Sequence, residues 1–168
     1  MLKQLEERRC CRSFDSNRVV EDKKVEEVVK AGLYAANAMN QQHAIIIAIT
    51  NKEVRDKLAK LNAMGRDGDT FYGAPVVLLV ASKGSFAELD GGAMLENMLI
   101  EANNQGLAAC WIHRAKEELA SKEGKELFVS LNLDLNEYVG IGHVILGYPK
   151  NYEYRPKQIR DGRVFWIK

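Results

Sequence analysis

Apolar residues along this chain recur with two periods, one typical of helices and one typical of strands. In residues 21–36 the apolar positions follow one another at steps of three and four, which predicts an amphipathic helix. These positions are Val25, Val28, Val29, Leu33 and Ala36. Residues 89–105 repeat the pattern with Leu95, Met98, Leu99 and Ala102, and Gly106 is expected to end that helix. Residues 116–131 predict another helix, and Asn51 predicts the N-cap of a charged helix that runs to about Lys60.

Strands are predicted where short apolar runs are rich in β-branched residues. Residues 44–50, 107–113 and 138–149 have this character. Residues 74–82, "APVVLLVAS", are apolar on both faces, which is typical of a central strand covered on both sides. Strands alternate with helices, but long helical stretches precede the first strand. The pattern therefore predicts one α+β domain over residues 1–168, with a central mixed or antiparallel sheet flanked by helices.

The amino-acid composition limits the kinds of molecule and the cellular locations expected for this chain. The 168 residues are 46% hydrophobic and 28% charged, which fits an ordinary globular core. The net charge of +1 gives no electrostatic footprint for nucleic acid or an anionic membrane. No apolar run approaches the roughly 20 residues that span a bilayer, and no secretory signal is recognisable. We therefore expect a cytoplasmic protein whose three cysteines are reduced.

Two polar segments could bind a ligand. The segment "RRCCRSF" places Arg8, Arg9 and Arg12 close together, and guanidinium groups match phosphate oxygens in pairs. A solvated basic turn is an equally good interpretation of these residues alone. The segment "NAMNQQ", residues 37–42, offers carboxamides that could pair with the edge of a heterocycle, although a polar loop at a helix end is the simpler interpretation.

Other site types are disfavoured. Cys110 and His113 have a spacing compatible with zinc, but on a strand they would point to opposite faces, so no metal site is predicted. The glycines of residues 140–147 lie within a strand-like run and do not form a dinucleotide-binding loop. Nucleophile elbows and catalytic triads are absent, and His43, His113 and His143 are interpreted as surface or core residues.

Five segments in order resemble the FMN-dependent nitroreductase family, especially its short bacterial and archaeal members. They are "RRCCRSF", "AANAMNQQ", "FYGAPVVLLV", "GGAMLENMLIEANNQGLAACWIHRAKE" and "GIGHVILGYP". The resemblance extends from one end of the chain to the other. It departs from the common family pattern at Cys10, Asn37, Ala38, His43, Ala44, Ala108 and Ala109.

The resemblance implies the cofactor and the residues that hold it. By position, Arg8, Arg9 and Arg12 would bind the ribityl chain and phosphate of FMN, with Cys10 in the place of a serine. Asn40 and Gln42 would cover the flavin ring from the neighbouring subunit. The same comparison implies that Gly106, Leu107 and Ala108 border the ring and that Lys157 and Arg160 of the tail complete the phosphate site.

The resemblance also implies an activity and an assembly. NADH or NADPH would reduce the flavin, and a nitroaromatic or similar electron-poor small molecule would take the electrons, with no side chain acting as acid or base because flavin N5 carries the chemistry. Reduction of a quinone, an enone or free flavin is an alternative, and so is a flavin-binding or sensing protein with little turnover. A homodimer is implied, with FMN sites at the interface and the aromatic tail, Phe165 to Ile167, docked on the partner subunit.

Overall fold

The computed structural model describes residues 1–151, 153 and 155–168, and these form an α+β fold with one sheet. The four strands are Ile45–Ile49 (β1), Val76–Ser82 (β2), Ala108–Ile112 (β3) and Val139–Gly147 (β4). The α-helices of the described residues are Lys3–Glu7 (α1), Asp22–Leu33 (α2), Lys52–Ala63 (α3), Ala87–Asn104 (α4), Ala115–Ala120 (α5) and Lys122–Leu127 (α6). The predicted fold class is confirmed.

The sheet has the strand order β1-β2-β4-β3, and every pair in it is antiparallel. The sequence predicted either a mixed or an antiparallel sheet, and the observed strand pairing is antiparallel. All seven residues of β2 are buried, as the apolar run predicted. Strands β1 and β3 form the two edges of the sheet.

Helices cover both faces of the sheet. Val77, Leu79 and Ala81 of β2 point toward the side of α3 and α5, while the alternate residues face α2 and α4. Helix α3 begins as predicted, because the Asn51 side chain accepts a hydrogen bond from the backbone N–H of Val54 at 3.0 Å.

Helix α4 is the longest helix of the described residues and packs against three strands and α2. Its predicted apolar residues Leu95, Met98, Leu99 and Ala102 are buried. A Cβ built on Gly91 would come within 2.6 Å of Ile141 Cγ1, so the absence of a side chain allows α4 to lie close to β4. The chain leaves the helix at Gly106, where φ is +71°.

Two predictions about helices need correction. Residues 116–131 do not form one helix: Ser121 is extended, with ψ of 153°, and its hydroxyl accepts from the backbone N–H of Gly124 to begin α6. A 3-10 turn follows at Val129–Leu131. In addition, α2 ends at Leu33, whose side chain is exposed together with Ala36, so the apolar face of α2 is shorter than its sequence indicated.

The described residues after Gly147 form no helix or strand. Phe165 and Trp166 near the end of the tail are 87% and 80% exposed. None of the helices in the described part of the chain is long and apolar enough to cross a membrane.

Candidate functional site

The arginine segment, residues 8–12, lies against the outer edge of β3. Cys10 forms an isolated parallel bridge with Ala109, and the backbone N–H of Cys11 donates to the Ala109 carbonyl at 2.9 Å. These backbone bonds bring the segment beside the turn that joins α4 to β3. Of the sequence-predicted residues, Arg9 lies beside Gly106, Leu107 and Ala108, and Cys10 lies beside Ala109.

A cavity of about 360 Å³ lies between the arginine segment and this turn. It is lined by Glu7, Arg9, Cys11, Asn103, Gly106, Leu107, Ala108 and Pro149. The turn is held by the backbone N–H of Leu107, which donates to the Ala102 carbonyl at 2.8 Å. A Cβ at Gly106 would meet nothing within 4 Å, so backbone is accessible on this wall. The lining therefore combines one basic and one acidic side chain, Arg9 and Glu7, with accessible backbone.

The arginines of the segment differ in their surroundings. The Arg8 side chain is only 19% exposed, and its Nε lies 3.3 Å from Glu96 Oε1 of α4. The two groups form an ion pair but no hydrogen bond. The buried Nε has no hydrogen-bond partner in the described part of the chain. Arg9 is held by the carbonyls of Arg8 and Arg155, at 2.6 and 2.9 Å, and Arg12 is exposed.

The tail reaches this region through the contact between Arg9 and Arg155. Lys157 and Arg160, which the resemblance assigned to a phosphate site, are exposed beyond that contact. Neither makes a hydrogen bond or an ion pair with another described residue. The structure therefore places the start of the tail at the arginine segment but does not bring these two side chains to the cavity.

Cys10 has unusual electrostatic surroundings. The Cys110 thiol and the Trp111 backbone N–H favour the thiolate form of Cys10, and Arg8 and Arg12 add positive charge. Led by Cys110, these neighbours outweigh partial burial and lower the pKa of Cys10 to about 5. Cys10, together with burial, raises the pKa of Cys110, whose thiol donates a hydrogen bond to the Trp111 carbonyl at 3.5 Å.

The carboxamide loop, residues 37–42, is attached to the other end of α4. The buried Asp90 accepts from the backbone N–H of Ala38 through Oδ1 at 2.9 Å. Within the loop, the Gln42 backbone N–H donates to Asn37 Oδ1 and the Gln42 side chain donates to Asn40 Oδ1 at 3.0 Å. Asn40 and Gln42 both have positive φ, so the loop has a defined and partly strained backbone.

Helix α4 separates the carboxamide loop from the arginine segment's cavity. Asp90 lies in the first turn of the helix and Gly106 follows its last turn. Sixteen residues at 1.5 Å each make this separation about 24 Å. Within one chain, the structure therefore does not bring Asn40 and Gln42 together with Gly106, Leu107 and Ala108.

A buried polar cluster lies elsewhere, on the face of the sheet that α3 and α5 cover. His143 Nε2 is 2.8 Å from Glu118 Oε2, and both side chains are almost fully buried. Asn62 donates to the second oxygen of Glu118 and to the His113 carbonyl. None of these residues lines the cavity. His143 is thus a core histidine with satisfied hydrogen bonds, as one interpretation of the sequence allowed.

Several residues of this region were not identified from the sequence. Asp90 could have been found from the sequence. It lies one helical turn before Met94, so the two residues are on the same buried face of α4. The roles of Glu96 and Cys110 could not have been found in this way, because their neighbours Arg8 and Cys10 are distant along the chain. No group of three or more His, Cys, Asp or Glu side chains in the described residues is arranged to hold a metal ion.

The chain is similar in sequence to known proteins. The model of the nitroreductase family matches residues 5–67. A curated protein of Archaeoglobus fulgidus named "Putative NADH dehydrogenase/NAD(P)H nitroreductase" is 26% identical over 158 residues, covering 89% of this chain and 86% of that protein.

Solved structures extend the likeness to the whole chain. A nitroreductase with bound FMN from Bacteroides fragilis has a TM-score of 0.85 at 22% identity, with 100% of both chains covered. A nitroreductase with bound FMN from Desulfitobacterium hafniense has a TM-score of 0.77 at 21% identity, covering 99% of this chain and 97% of that one. At these identities the likeness shows a shared fold.

Proposed function

We propose that this chain, a member of the nitroreductase family, is an FMN-dependent oxidoreductase that uses NADH or NADPH to reduce nitroaromatics or similar electron-poor acceptors. Residues 1–168 would form one FMN-binding domain. The observation that carries the proposal is the cavity where the arginine segment meets the turn of Gly106, Leu107 and Ala108.

Arg9 lines the cavity, and its neighbours Arg8 and Arg12 in the arginine segment would add charge for the phosphate of FMN. Arg8 is a largely buried cation whose Nε has no hydrogen-bond partner among the described residues. Leaving such a donor unsatisfied costs about 1–3 kcal/mol, which an anion bound by the guanidinium group would offset. Arg12 is exposed and close to Cys10, so its charge can act on the same anion. Arg9 contributes charge and links the segment to the tail.

The remaining residues would position the ring and limit access to it. When bound, FMN supplies two-electron chemistry between a nicotinamide donor and the acceptor. Backbone at Gly106, Leu107 and Ala108 would border the ring, and Leu107 is buried enough to keep water from that side. The amide groups of Asn40 and Gln42 would donate to the polar edge of the ring. Lys157 and Arg160 would join the phosphate site through a movement of the tail.

A homodimer is part of the proposal because each chain holds the two halves of the site about 24 Å apart. In a two-fold dimer, the carboxamide loop of one subunit can meet the cavity of its partner, and the converse contact forms at the same time. The exposed Phe165 and Trp166 support this assembly, since large apolar side chains at a terminus are stabilised by docking on a surface. Three free cysteines fit the reducing cytoplasm.

The activity is tested by an absorption spectrum of the protein and then by the rate at which it oxidises a nicotinamide. The purified protein is mixed with FMN, desalted and examined by visible absorption, and NADH and NADPH oxidation is then measured with a nitroaromatic, a quinone and free FMN as acceptors. We expect a retained flavin band and acceptor-dependent oxidation of a nicotinamide. A retained flavin without turnover would favour a flavin-binding or sensing protein, and a colourless protein after desalting would contradict the proposal.

The test of the shared site is subunit complementation. One variant carries Arg8→Ala and Arg12→Ala, and the other carries Asn40→Ala and Gln42→Ala. Random reassociation makes half of the dimers mixed and leaves one intact site of two in each, so about a quarter of the wild-type activity should return. Reassociating each variant with itself is the control. No recovery, or sedimentation of the flavin-loaded protein as a monomer at micromolar concentration, would contradict the dimeric site.

A further inference from the structure

The main chain at Arg8 is fixed on both sides. The Arg8 N–H donates to the Gln4 carbonyl of α1 at 2.9 Å, and the Arg8 carbonyl accepts from Arg9 Nη1 at 2.6 Å. Helix α1 is in turn tied to α4, because Gln4 Nε2 donates to Asn104 Oδ1 at 2.9 Å. The point from which the Arg8 side chain starts is therefore well defined.

The guanidinium group of Arg8 has one covered side and one open end. Its Nε lies 3.3 Å from Glu96 Oε1 and is buried without a hydrogen-bond partner in the described part of the chain. Nη1 and Nη2 have no hydrogen-bond partner among the described residues either, but unlike Nε they are accessible to solvent. Because Glu96 approaches at Nε, the terminal fork that matches phosphate oxygens stays available.

The head group of Arg8 lies beside the cavity and not in its lining. Glu7 and Arg9, on either side of Arg8 in the sequence, both line the cavity, and so does Asn103 of α4. Glu96 is two helical turns before Asn103, so the two are on the same side of α4 about 10 Å apart. Arg8 is therefore held where it suits an anionic group that is separate from any group bound at the turn.

Glu96 has two opposite effects on an anion bound by Arg8. Its negative charge repels the anion, but its side chain is 45% exposed, so water and salt screen this repulsion. Its attraction for Arg8 favours binding, because an arginine that is already fixed loses less rotamer freedom when the anion arrives. We expect the second effect to prevail.

We propose that Glu96 is a positioning residue that fixes Arg8 for the phosphate of FMN. The inference rests on the proposed function, since it takes FMN as the ligand of the arginine segment. Glu96 acts through Arg8 and not on the flavin itself. Its influence is therefore confined to flavins that carry a phosphate.

The first experiment compares FMN with riboflavin, which lacks the phosphate, by equilibrium titration of flavin fluorescence. Glu96→Ala should weaken FMN binding about threefold to tenfold, the loss expected when one arginine side chain must be ordered on binding. Riboflavin affinity should not change. Glu88→Ala is the matched control, because Glu88 is an exposed glutamate of the same helix, 3.9 Å from Lys116. Tighter FMN binding by Glu96→Ala, or an equal loss for both flavins, would overturn the proposal.

Two further variants test whether Glu96 acts through its charge and through Arg8. Glu96→Gln keeps the length of the side chain but not its charge, so it should weaken FMN binding as Glu96→Ala does. In an Arg8→Ala background, Glu96→Ala should cause no further loss of FMN affinity. Circular dichroism checks that each variant folds. Wild-type affinity in Glu96→Gln, or an additive loss in the double variant, would overturn the proposal.

The last experiment tests the contact in the flavin-free protein, by NMR spectroscopy of the arginine Nε–H groups. Arg8→Lys identifies the Arg8 signal, which should exchange with water faster in Glu96→Ala than in the wild type and in Glu88→Ala. Equal exchange in all three would overturn the proposal. A wild-type protein that binds FMN no better than riboflavin would contradict the proposed phosphate site, and with it this inference, even where exchange shows the contact between Arg8 and Glu96.

Discussion

The two ends of helix α4 carry different kinds of attachment. At the C-terminal end, the arginine segment is joined to β3 by backbone hydrogen bonds, to α4 by the Arg8–Glu96 ion pair, and to the tail by Arg9. At the N-terminal end, the carboxamide loop is joined to the helix by the hydrogen bond that Asp90 accepts from the backbone N–H of Ala38. One end is anchored by backbone and charge, and the other by a single carboxylate.

The two kinds of attachment suit two different tasks, the binding of an anion and contact with a partner subunit. A firmly held basic segment suits the binding of an anion, which requires fixed charges. A loop with positive-φ residues and one anchor suits a surface that adapts to a partner's site. Helix α4 keeps the two apart, so substitutions at each end, or in the helix between them, should have distinct effects.

The largest effect is expected at the arginine end. Replacing Arg8 and Arg12 by Ala should weaken FMN binding about 100-fold or more, because charge-assisted hydrogen bonds contribute about 1.5–3 kcal/mol each. Equilibrium titration of flavin fluorescence measures the affinity. Arg66→Ala, at an exposed arginine outside the segment, is the control. Asn40→Ala with Gln42→Ala should cost less than about tenfold, and an equal loss at both ends would contradict the comparison.

Two adjacent glycines in α4 test the helix between the ends. Gly91→Ala places a Cβ 2.6 Å from Ile141 Cγ1 and should lower the free energy of unfolding by about 1–3 kcal/mol. Gly92→Ala meets only Trp111 Cη2 at 4.0 Å and should raise it by about 0.5–1 kcal/mol, since alanine favours the helix. Urea unfolding measures both, and the same sign for both variants would contradict the close packing of α4 on β4.

A smaller effect is expected at the anchor of the carboxamide loop. Asp90→Ala removes the acceptor for the Ala38 N–H and should lower the turnover of NADH about fivefold to tenfold, in proportion to one lost hydrogen bond. Flavin content should stay unchanged, because the arginine end is intact. Asp90→Asn keeps an oxygen acceptor and is the matched control. Loss of flavin from Asp90→Ala would contradict the division of tasks.

The smallest effect lies away from both ends, at the ion pair between Arg55 and Asp69. Burial opposes ionisation of Asp69, but hydrogen bonds from Arg55 and from the backbone N–H of Phe71 and Gly73 prevail and lower its pKa. A lowered pKa contributes stability that is present above the unfolded-state pKa, near 3.9, and is lost as pH falls through the folded-state pKa.

Replacing Asp69 by Asn should therefore weaken the dependence of stability on pH on the acidic side. The change at pH 7 should be below about 1 kcal/mol, because the pair is partly exposed. Urea unfolding at pH 7, 4 and 3 measures the effect, with the exposed Asp67→Asn as control. Flavin content should not change, and a loss of flavin would show that this pair reaches the site.

The sequence by itself determined the features that depend on neighbouring residues. The six consecutive apolar residues that begin β2 predicted a strand buried on both faces, because neither face of that run offers a polar side chain to water. Asn51 predicted the start of α3, and Gly106 predicted the end of α4, because a cap or a positive φ is a local requirement. The break at Ser121 was missed because a serine inside a helical pattern is also compatible with a continuous helix.

Only the tertiary structure decided which distant residues meet. The pairs Cys10 with Ala109 and Ala38 with Asp90 depend on how strands and helices pack, and periodicity contains no information about such contacts. The resemblance assigned Arg8 and Gln42 to one site formed by two subunits, and the length of α4 sets how far apart a single chain holds them. Local chemistry fixed the elements of this protein, and long-range packing set the distances between its polar groups.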